Sequence, residues 1–227
     1  MIVSRKGNFV FLHNPKVAGS SFRKAIADYH DHQHTFWGVR RVRFLNNLVD
    51  MAHLRSWEIG MAAPDVWDEF DRYAVLVFVR NPIRRFISAC FPHFEWYRKD
   101  VGFAAMTPPE QQNTIARFID ADLTMEKVIG NYRYVHFSPQ VWYCMLGTRQ
   151  VATTIVPLGS GGSGGLSAGF AALNVPEPPR HPRANRRAGK STDDLITPEI
   201  RTFVRGFYAA DYELFQSRPE LRALIRI

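Results

Sequence analysis

Two segments of the sequence place cationic and hydroxyl side chains at the start of a helix, directly after an apolar strand. The first is HNPKVAGSS, in which Lys16 precedes Gly19 and two serines follow. The second is RNPIRRFIS, which begins with Arg80 and ends with Ser88. The first turn of a helix has backbone amides without intrahelical partners, and these attract anions. The pair therefore predicts two anion-binding positions and a ligand that carries two separate anionic groups.

The first segment differs from the phosphate loop of the nucleotide triphosphatases, G-x-x-x-x-G-K-[ST], whose lysine follows the last glycine. Here Lys16 comes three residues before Gly19, so it would reach over a bound anion as a mobile point charge. Gly19 would let the backbone approach that anion, and Ser20 and Ser21 would add hydroxyl donors. The alternative is an ordinary strand-to-helix turn with a solvated lysine.

The second segment depends on Arg80, which directly follows the apolar residues 75–79. An unpaired charge at such a position is costly, so Arg80 requires a fixed anion, either a ligand or an internal carboxylate. Arg84 and Ser88 are one helical turn apart and share a face.

Alternating strand and helix patterns must position these segments. Strands are predicted at residues 9–13, 73–80 and 151–158. Helical patterns occur at residues 20–29, 115–129, 138–146, 166–173 and 197–215, and after Asn81, which can cap a helix that has Pro82 at its first position. The order predicts an α/β, P-loop-like domain with a central, mostly parallel sheet flanked by helices. Ligands of such sheets gather at the carboxyl ends of the strands.

Length and composition set the remaining limits. The 227 residues fit a single domain, 46% of them are hydrophobic, and the net charge is +8. This excludes a disordered chain and favours anionic partners. Residues 159–165, GSGGSGG, have the composition of a flexible linker and the regularity of an engineered loop replacement. Cys90 and Cys144 lie in apolar segments and predict buried thiols.

Membrane and secretion signals are not expected in this sequence. No apolar run approaches the ~20 residues of a membrane span. The N-terminal segment lacks a signal-peptide core because Ser4, Arg5 and Lys6 interrupt its apolar pattern. A soluble protein is therefore predicted.

The motifs PKVAGSSF and FVRNPIRRFISA, in this order and about 65 residues apart, resemble the paired cofactor motifs of the sulfotransferases. The resemblance is to the carbohydrate sulfotransferase type (sulfotransferase family 2) and its bacterial relatives. HFSPQ, ANRRAGKST and FYAADYELF look like later landmarks of that family, and residues 91–134 match least. For a full-length bacterial member the resemblance implies a cytoplasmic protein, and the alternative is a Golgi-lumenal catalytic fragment.

The resemblance also implies a donor, 3′-phosphoadenosine 5′-phosphosulfate (PAPS), and a product, 3′-phosphoadenosine 5′-phosphate (PAP). The residues implied to hold the 5′-phosphosulfate are Pro15, Lys16, Val17, Ala18, Gly19, Ser20 and Ser21. Arg80 and Ser88 are implied to hold the 3′-phosphate. A basic loop is implied to fold over the adenosine, with Arg186, Arg187, Lys190 and Ser191; a solvated charge run is the alternative there.

Sulfuryl transfer requires an attacking and a leaving oxygen in line, with negative charge building on the leaving group. Lys16 would stabilise that charge. A base is needed for the acceptor hydroxyl, and His53 is the first candidate because related enzymes place a catalytic histidine between the two motifs. The rivals share one segment: His30, His32 and His34. Their spacing also permits a metal site, although no metal is predicted.

The acceptor is predicted to be a hydroxylated molecule, with a carbohydrate implied by the resemblance. His136, Gln140 and Trp37 are the candidates to line its cleft, and the aromatic residues of segments 36–44 and 91–107 either stack on a sugar or fill the core. Two other functions stay open, a phosphotransferase of the nucleotide-kinase type and a non-catalytic binder of polyanions or glycans. No nucleic-acid motif is visible, and the oligomeric state is undetermined by sequence.

Overall fold

The computed structural model describes residues 1–32, 35–68, 70–98, 102–159, 163–178 and 192–226. These residues form two compact units, one from Met1–Arg80 and Gln140–Arg186 and the other from Asn81–Pro139 and Arg187–Ile227. The predicted α/β class is confirmed. A single domain over residues 1–227 stays a prediction.

The elements are numbered along the chain. The strands are β1 (Ile2–Ser4), β2 (Phe9–Leu12), β3 (Val39–Val42), β4 (Asn47–Asp50), β5 (Ala74–Arg80), β6 (Met145–Leu146), β7 (Arg149–Gln150) and β8 (Thr154–Leu158). The helices are α1 (Gly19–Ala25), α2 (Ser56–Ala62), α3 (Pro64–Trp67), α4 (Pro82–Pro92), α5 (Pro108–Ala121), α6 (Met125–Gly130), α7 (Val141–Cys144), α8 (Ser163–Ala172), α9 (Pro198–Phe207) and α10 (Ala209–Ser217). Short 3₁₀ turns occur at Ala27–Tyr29, Arg43–Leu45, Met51–His53, Phe103–Ala105, Tyr132–Phe137, Asp193–Leu195 and Arg222–Ile225, and a π-helical turn at His93–Arg98.

The first unit contains a four-stranded sheet in the order β1-β2-β5-β8. β1 is antiparallel to β2, whereas β2, β5 and β8 are parallel. The register pairs Leu12 with Val77 and Arg80 with Leu158. The loops that follow β2 and β5 therefore leave the same edge of the sheet, where ligands of parallel sheets bind.

Aromatic side chains hold α1 and α8 on this sheet. The Phe22 ring of α1 lies 5.0 Å from that of Phe11 and 4.8 Å from that of Phe78, and 4.7 Å from that of Phe170 in α8. All four side chains are almost completely buried. Since these aromatic contacts fix α1, they also fix where the loop before it ends.

Residues 163–165 of the predicted linker belong to α8, which begins at Ser163. Gly165 packs against the end of β8, where an added Cβ would lie 2.3 Å from Leu158 Cδ2 and 2.9 Å from the Pro157 carbonyl oxygen. This close packing requires a glycine at position 165. From composition alone, the same glycine indicates a flexible linker. One glycine of the segment thus has a packing role.

The second unit is built from α4–α6, α9 and α10. The predicted cap of α4 is confirmed, because the Asn81 side chain accepts a hydrogen bond from Arg84 N at 2.9 Å and Pro82 is the first helical residue. Phe91 and Phe94 are buried beside Phe103, with ring centroids 5.1 and 4.5 Å away. These two aromatic residues therefore belong to the core.

Other sequence predictions can be compared with the described residues. Cys90 and Cys144 are both buried free thiols, as predicted. No helix in the described part of the chain is both long and apolar enough to span a bilayer. Three or more potential metal-ligating side chains do not come together anywhere in that part; His34 lies outside it.

His30 gives the first unit a pH-dependent stability. It is 8% exposed, and burial, followed by the positive charge of Arg23, lowers its pKa to about 4. Below pH ~6.5 the unfolded chain binds a proton that the folded chain does not. We therefore expect this group to cost about 3 kcal/mol of unfolding free energy as the pH falls from ~6.5 to ~4. Urea titrations at pH 7 and pH 5 should show a smaller decline for His30→Gln than for wild type; equal declines would contradict this.

Candidate functional site

The loop from His13 to Ala18, between β2 and α1, has an unusual backbone. Lys16 has φ +67° and Ala18 has φ +57°, values that L-residues rarely adopt. The side chain of Val17 between them is completely buried in the core. Val17 thus anchors the loop, while Ala18 is exposed and Lys16 is half-buried. Strained backbone of this kind concentrates at ligand-binding sites.

Gly19 begins α1 directly against the ring of His13. A Cβ on Gly19 would lie 2.1 Å from His13 Cδ2 and 2.3 Å from His13 Nε2. The imidazole therefore leaves no room for a side chain. From sequence, Gly19 is predicted to let the backbone approach an anion. The contact with His13 is a second reason why this position requires glycine.

Backbone and hydroxyl donors collect at the start of α1. Ser21 N donates to the Ala18 carbonyl at 3.1 Å, and the amides of Gly19 and Ser20 come too early in the chain to pair within the helix. Ser20 is exposed and Ser21 is buried. The first turn of α1 has no acidic side chain, so nothing within that turn repels an anion.

Arg80 connects the end of β5 to this loop. Its Nη1 lies 3.5 Å from the Lys16 carbonyl oxygen. Arg80, the first residue of the second predicted segment, therefore lies beside the Lys16 backbone at this edge of the sheet in the first unit. Two cationic side chains at one edge suit a ligand with several negative charges.

The buried side chain of Gln140 connects the end of β5 to the loop between β2 and α1. Its Nε2 donates to the Arg80 carbonyl at 2.8 Å, and its Oε1 accepts from Arg80 N at 2.9 Å and from Asn14 Nδ2 at 3.2 Å. Asn14 Nδ2 also donates to the Phe78 carbonyl at 2.9 Å. Gln140 and Asn14 are completely buried. Gln140 is thus a positioning residue that joins β5 to the loop, and its predicted contact with acceptor stays a prediction.

Replacing Gln140 by methionine should lower the free energy of unfolding by about 2–4 kcal/mol, because it removes its hydrogen bonds with the Arg80 backbone N–H and carbonyl and one of the two acceptors of Asn14 Nδ2. Gln112→Met is the matched control, since Gln112 makes one hydrogen bond, to the Asp194 carbonyl at the surface. We expect the control to lose less than about 1 kcal/mol. Urea denaturation measures both, and equal losses would contradict the positioning role.

His53 lies beside the same loop. Its Nδ1 is 2.8 Å from the His13 carbonyl oxygen, and the two imidazole rings are 4.3 Å apart. The Tyr143 hydroxyl donates to the His53 carbonyl at 3.3 Å, which fixes the backbone. A carbonyl only accepts hydrogen bonds, so Nδ1 carries the hydrogen and Nε2 of the neutral ring carries the lone pair. In this tautomer Nε2 is the nitrogen that is able to accept a proton.

The environment keeps His53 neutral. Its pKa is lowered, first by burial and further by the positive charge of Lys16, although Asp50 acts in the opposite direction. A histidine with a lowered pKa is unprotonated at neutral pH and is able to accept a proton. That Lys16 and His53 act together in one site stays a prediction.

The structure describes three of the remaining predicted site residues, each within its own unit. Ser88 is a half-buried residue of α4 in the second unit. His136, also in the second unit, is buried, and its carbonyl accepts from Arg85 Nη1 at 3.2 Å. Trp37 is exposed next to β3. The basic-loop candidates, Arg186, Arg187, Lys190 and Ser191, lie outside the described residues.

Sequence reasoning missed the role of Asn14. Its side chain reaches across the sheet to Phe78, 64 positions along the chain, and to Gln140, 126 positions along. The only local signal is a polar residue directly after a buried strand. Such a signal shows neither the direction of the side chain nor its partners.

Comparison with known proteins identifies one match. A protein-family model described as the sulfotransferase family matches residues 1–216. No curated protein and no solved structure matches the chain. The family match covers every described residue of the site above.

Proposed function

The chain belongs to the sulfotransferase family, and from that premise we propose that it transfers a sulfuryl group from PAPS to a hydroxyl group of an acceptor. The observation that carries the proposal is that the loop between β2 and α1, which contains Lys16, contacts both Arg80 and His53: Arg80 Nη1 lies 3.5 Å from the Lys16 carbonyl oxygen, and His53 Nδ1 lies 2.8 Å from the His13 carbonyl oxygen. These side chains supply positive charge for an anionic donor and a neutral imidazole for an acceptor hydroxyl.

The charge and the hydrogen-bond donors of this edge support PAPS as the donor. The donor is a polyanion, and the loop offers helix amides, serine hydroxyls and the charges of Lys16 and Arg80. In the proposal Lys16, Gly19, Ser20 and Ser21 hold the 5′-phosphosulfate, and Arg80 holds the 3′-phosphate. The assignment of Ser88 and of the basic loop stays a prediction from the resemblance.

The proposed reaction needs one group that acts on the attacking oxygen and one that acts on the leaving oxygen. His53 Nε2 takes the proton from the acceptor hydroxyl as its oxygen forms a bond to sulfur. The bond between sulfur and the bridging oxygen of the 5′-phosphate breaks, and Lys16 stabilises the negative charge on that oxygen. The products are a sulfate ester, PAP and the proton now on His53.

The acceptor class in this proposal is a hydroxylated molecule, with carbohydrates first. The test is a transfer assay in which labelled PAPS is incubated with a panel of mono- and oligosaccharides and, separately, with phenols and sterols. Incorporation of label into a saccharide, with stoichiometric release of PAP, is the expected result. Labelling of phenols or sterols alone would reject the carbohydrate acceptor while leaving the donor intact.

A further inference from the structure

The hairpin formed by β3, β4 and the turn between them exposes large apolar side chains. Phe44 is 79% exposed, Trp37 62%, Val39 43% and Leu48 39%. The other exposed large hydrophobic residues in the described part of the chain are Trp96 and Ile129, in the second unit. The exposed apolar groups of the first unit are therefore concentrated on this hairpin.

The register of the hairpin explains which face is exposed. Arg41 pairs with Leu48, and Val39 pairs with Asp50, on one face. Val42 and Val49, which alternate with them, are 8% and 5% exposed and face the interior. The face of the hairpin that carries Val42 and Val49 is therefore packed against the protein. The opposite face, which carries Val39 and Leu48, is exposed to solvent.

Cationic side chains surround this outward face. Arg41 lies on the outward face, Arg43 lies in the turn and Arg40 lies on the opposite face; all three are exposed, and residues 36–49 contain no acidic residue. The Arg23 guanidinium adds a fourth positive charge, 4.5 Å from the centre of the Trp37 ring. The acidic residue at the open end of the hairpin is Asp50, which accepts a hydrogen bond from Ala52 N at 3.0 Å. The hairpin thus combines exposed apolar groups with positive charge.

We propose that this hairpin surface, defined as Trp37, Val39, Arg41, Arg43, Phe44 and Leu48, docks the protein on an anionic lipid bilayer. Aromatic and aliphatic groups that project beside arginines insert at the boundary between headgroups and acyl chains, while the arginines contact anionic headgroups. Phe44, the most exposed of the set, lies in the turn at the tip. An exposed aromatic side chain at the tip of a hairpin is able to insert into a bilayer, whereas a protein partner would need a complementary cavity for it.

The positive charge of the hairpin argues against a second copy of the chain as the occupant, because two copies would bring the same exposed arginines together. The net charge of +8 also disfavours self-association and favours an anionic surface.

Vesicle flotation tests the proposal directly. The wild-type protein should float with vesicles that contain phosphatidylglycerol, should bind pure phosphatidylcholine vesicles weakly, and should dissociate as salt is raised. Phe44→Ser should weaken partitioning about tenfold or more, whereas Trp96→Ser, which removes an apolar group that is 63% exposed in the second unit, should not. Arg43→Gln should weaken binding more than Arg117→Gln, a control on exposed α5 surface.

Three results would overturn the docking proposal: wild-type protein that stays unbound with anionic vesicles at low salt, Phe44→Ser that floats like wild type, or a wild-type dimer in sedimentation that Phe44→Ser abolishes. The last result would assign the surface to a second copy. All these side chains are exposed, so equal melting temperatures of wild type and variants establish folding. None of the measurements uses turnover, so they are independent of the sulfotransferase proposal.

Discussion

Lys16→Ala is expected to lower the rate of sulfuryl transfer about 10²–10³-fold, the usual cost of removing one group that stabilises charge in a transition state. The loop holds Lys16 beside Arg80, and the positive charge of Lys16 already lowers the pKa of His53. Its loss removes the cation next to the leaving oxygen. Single-turnover transfer from labelled PAPS measures the chemical step.

Lys24→Ala is the matched control for this experiment. Lys24 is an exposed lysine of the same helix that the loop leads into, so its removal changes net charge equally without touching the proposed leaving group. The control should retain most of the wild-type rate. If Lys16→Ala retains more than about a tenth of the wild-type rate, the proposed role of Lys16 in stabilising the leaving group is wrong.

His53→Gln is the second large expected effect, a loss of about 10²–10⁴-fold in rate, as for other general bases. Glutamine is able to donate a hydrogen bond to the His13 carbonyl, as Nδ1 does, but it provides no basic nitrogen. The matched control is His93→Gln, because His93 Nδ1 also bonds to a carbonyl, that of Arg133 at 3.2 Å, in the second unit. The control should change stability more than the rate of the folded enzyme.

The pH profile separates a base from a structural histidine. His53 acts when it is neutral, and its pKa is lowered from the ordinary value of about 6.5. The wild-type rate should therefore be flat from about pH 6.5 to 8 and should fall only below that range. In His53→Gln this acidic limb should vanish. A variant that keeps the limb would place the base elsewhere.

The central strands and the start of α4 were predictable from sequence because local signals agree there. Residues 75–79 are an unbroken apolar run, and Asn81 and Pro82 mark the start of the next helix. The hairpin of β3 and β4 was not predicted. Its strands have four residues each, and three successive exposed residues of β3, Val39, Arg40 and Arg41, obscure the alternation.

The motifs predict Lys16 and Arg80 as site residues and the resemblance predicts His53, but the interactions that position these residues depend on distant parts of the chain. His53 is bonded to the carbonyl of a residue 40 positions away, and Arg80 to the side chain of one 60 positions away. Sequence patterns report local periodicity and caps. They carry no information on which buried amide reaches which carbonyl across the sheet.

The most direct test of the central claim is calorimetric titration of the protein with PAP and, separately, with AMP, which lacks the 3′-phosphate. If the loop and Arg80 form a PAPS site, PAP should bind with a micromolar or lower Kd, and AMP should bind at least about tenfold more weakly, since it lacks one charge-assisted contact. Absence of PAP binding at micromolar concentrations, or equal binding of AMP, would contradict the claim.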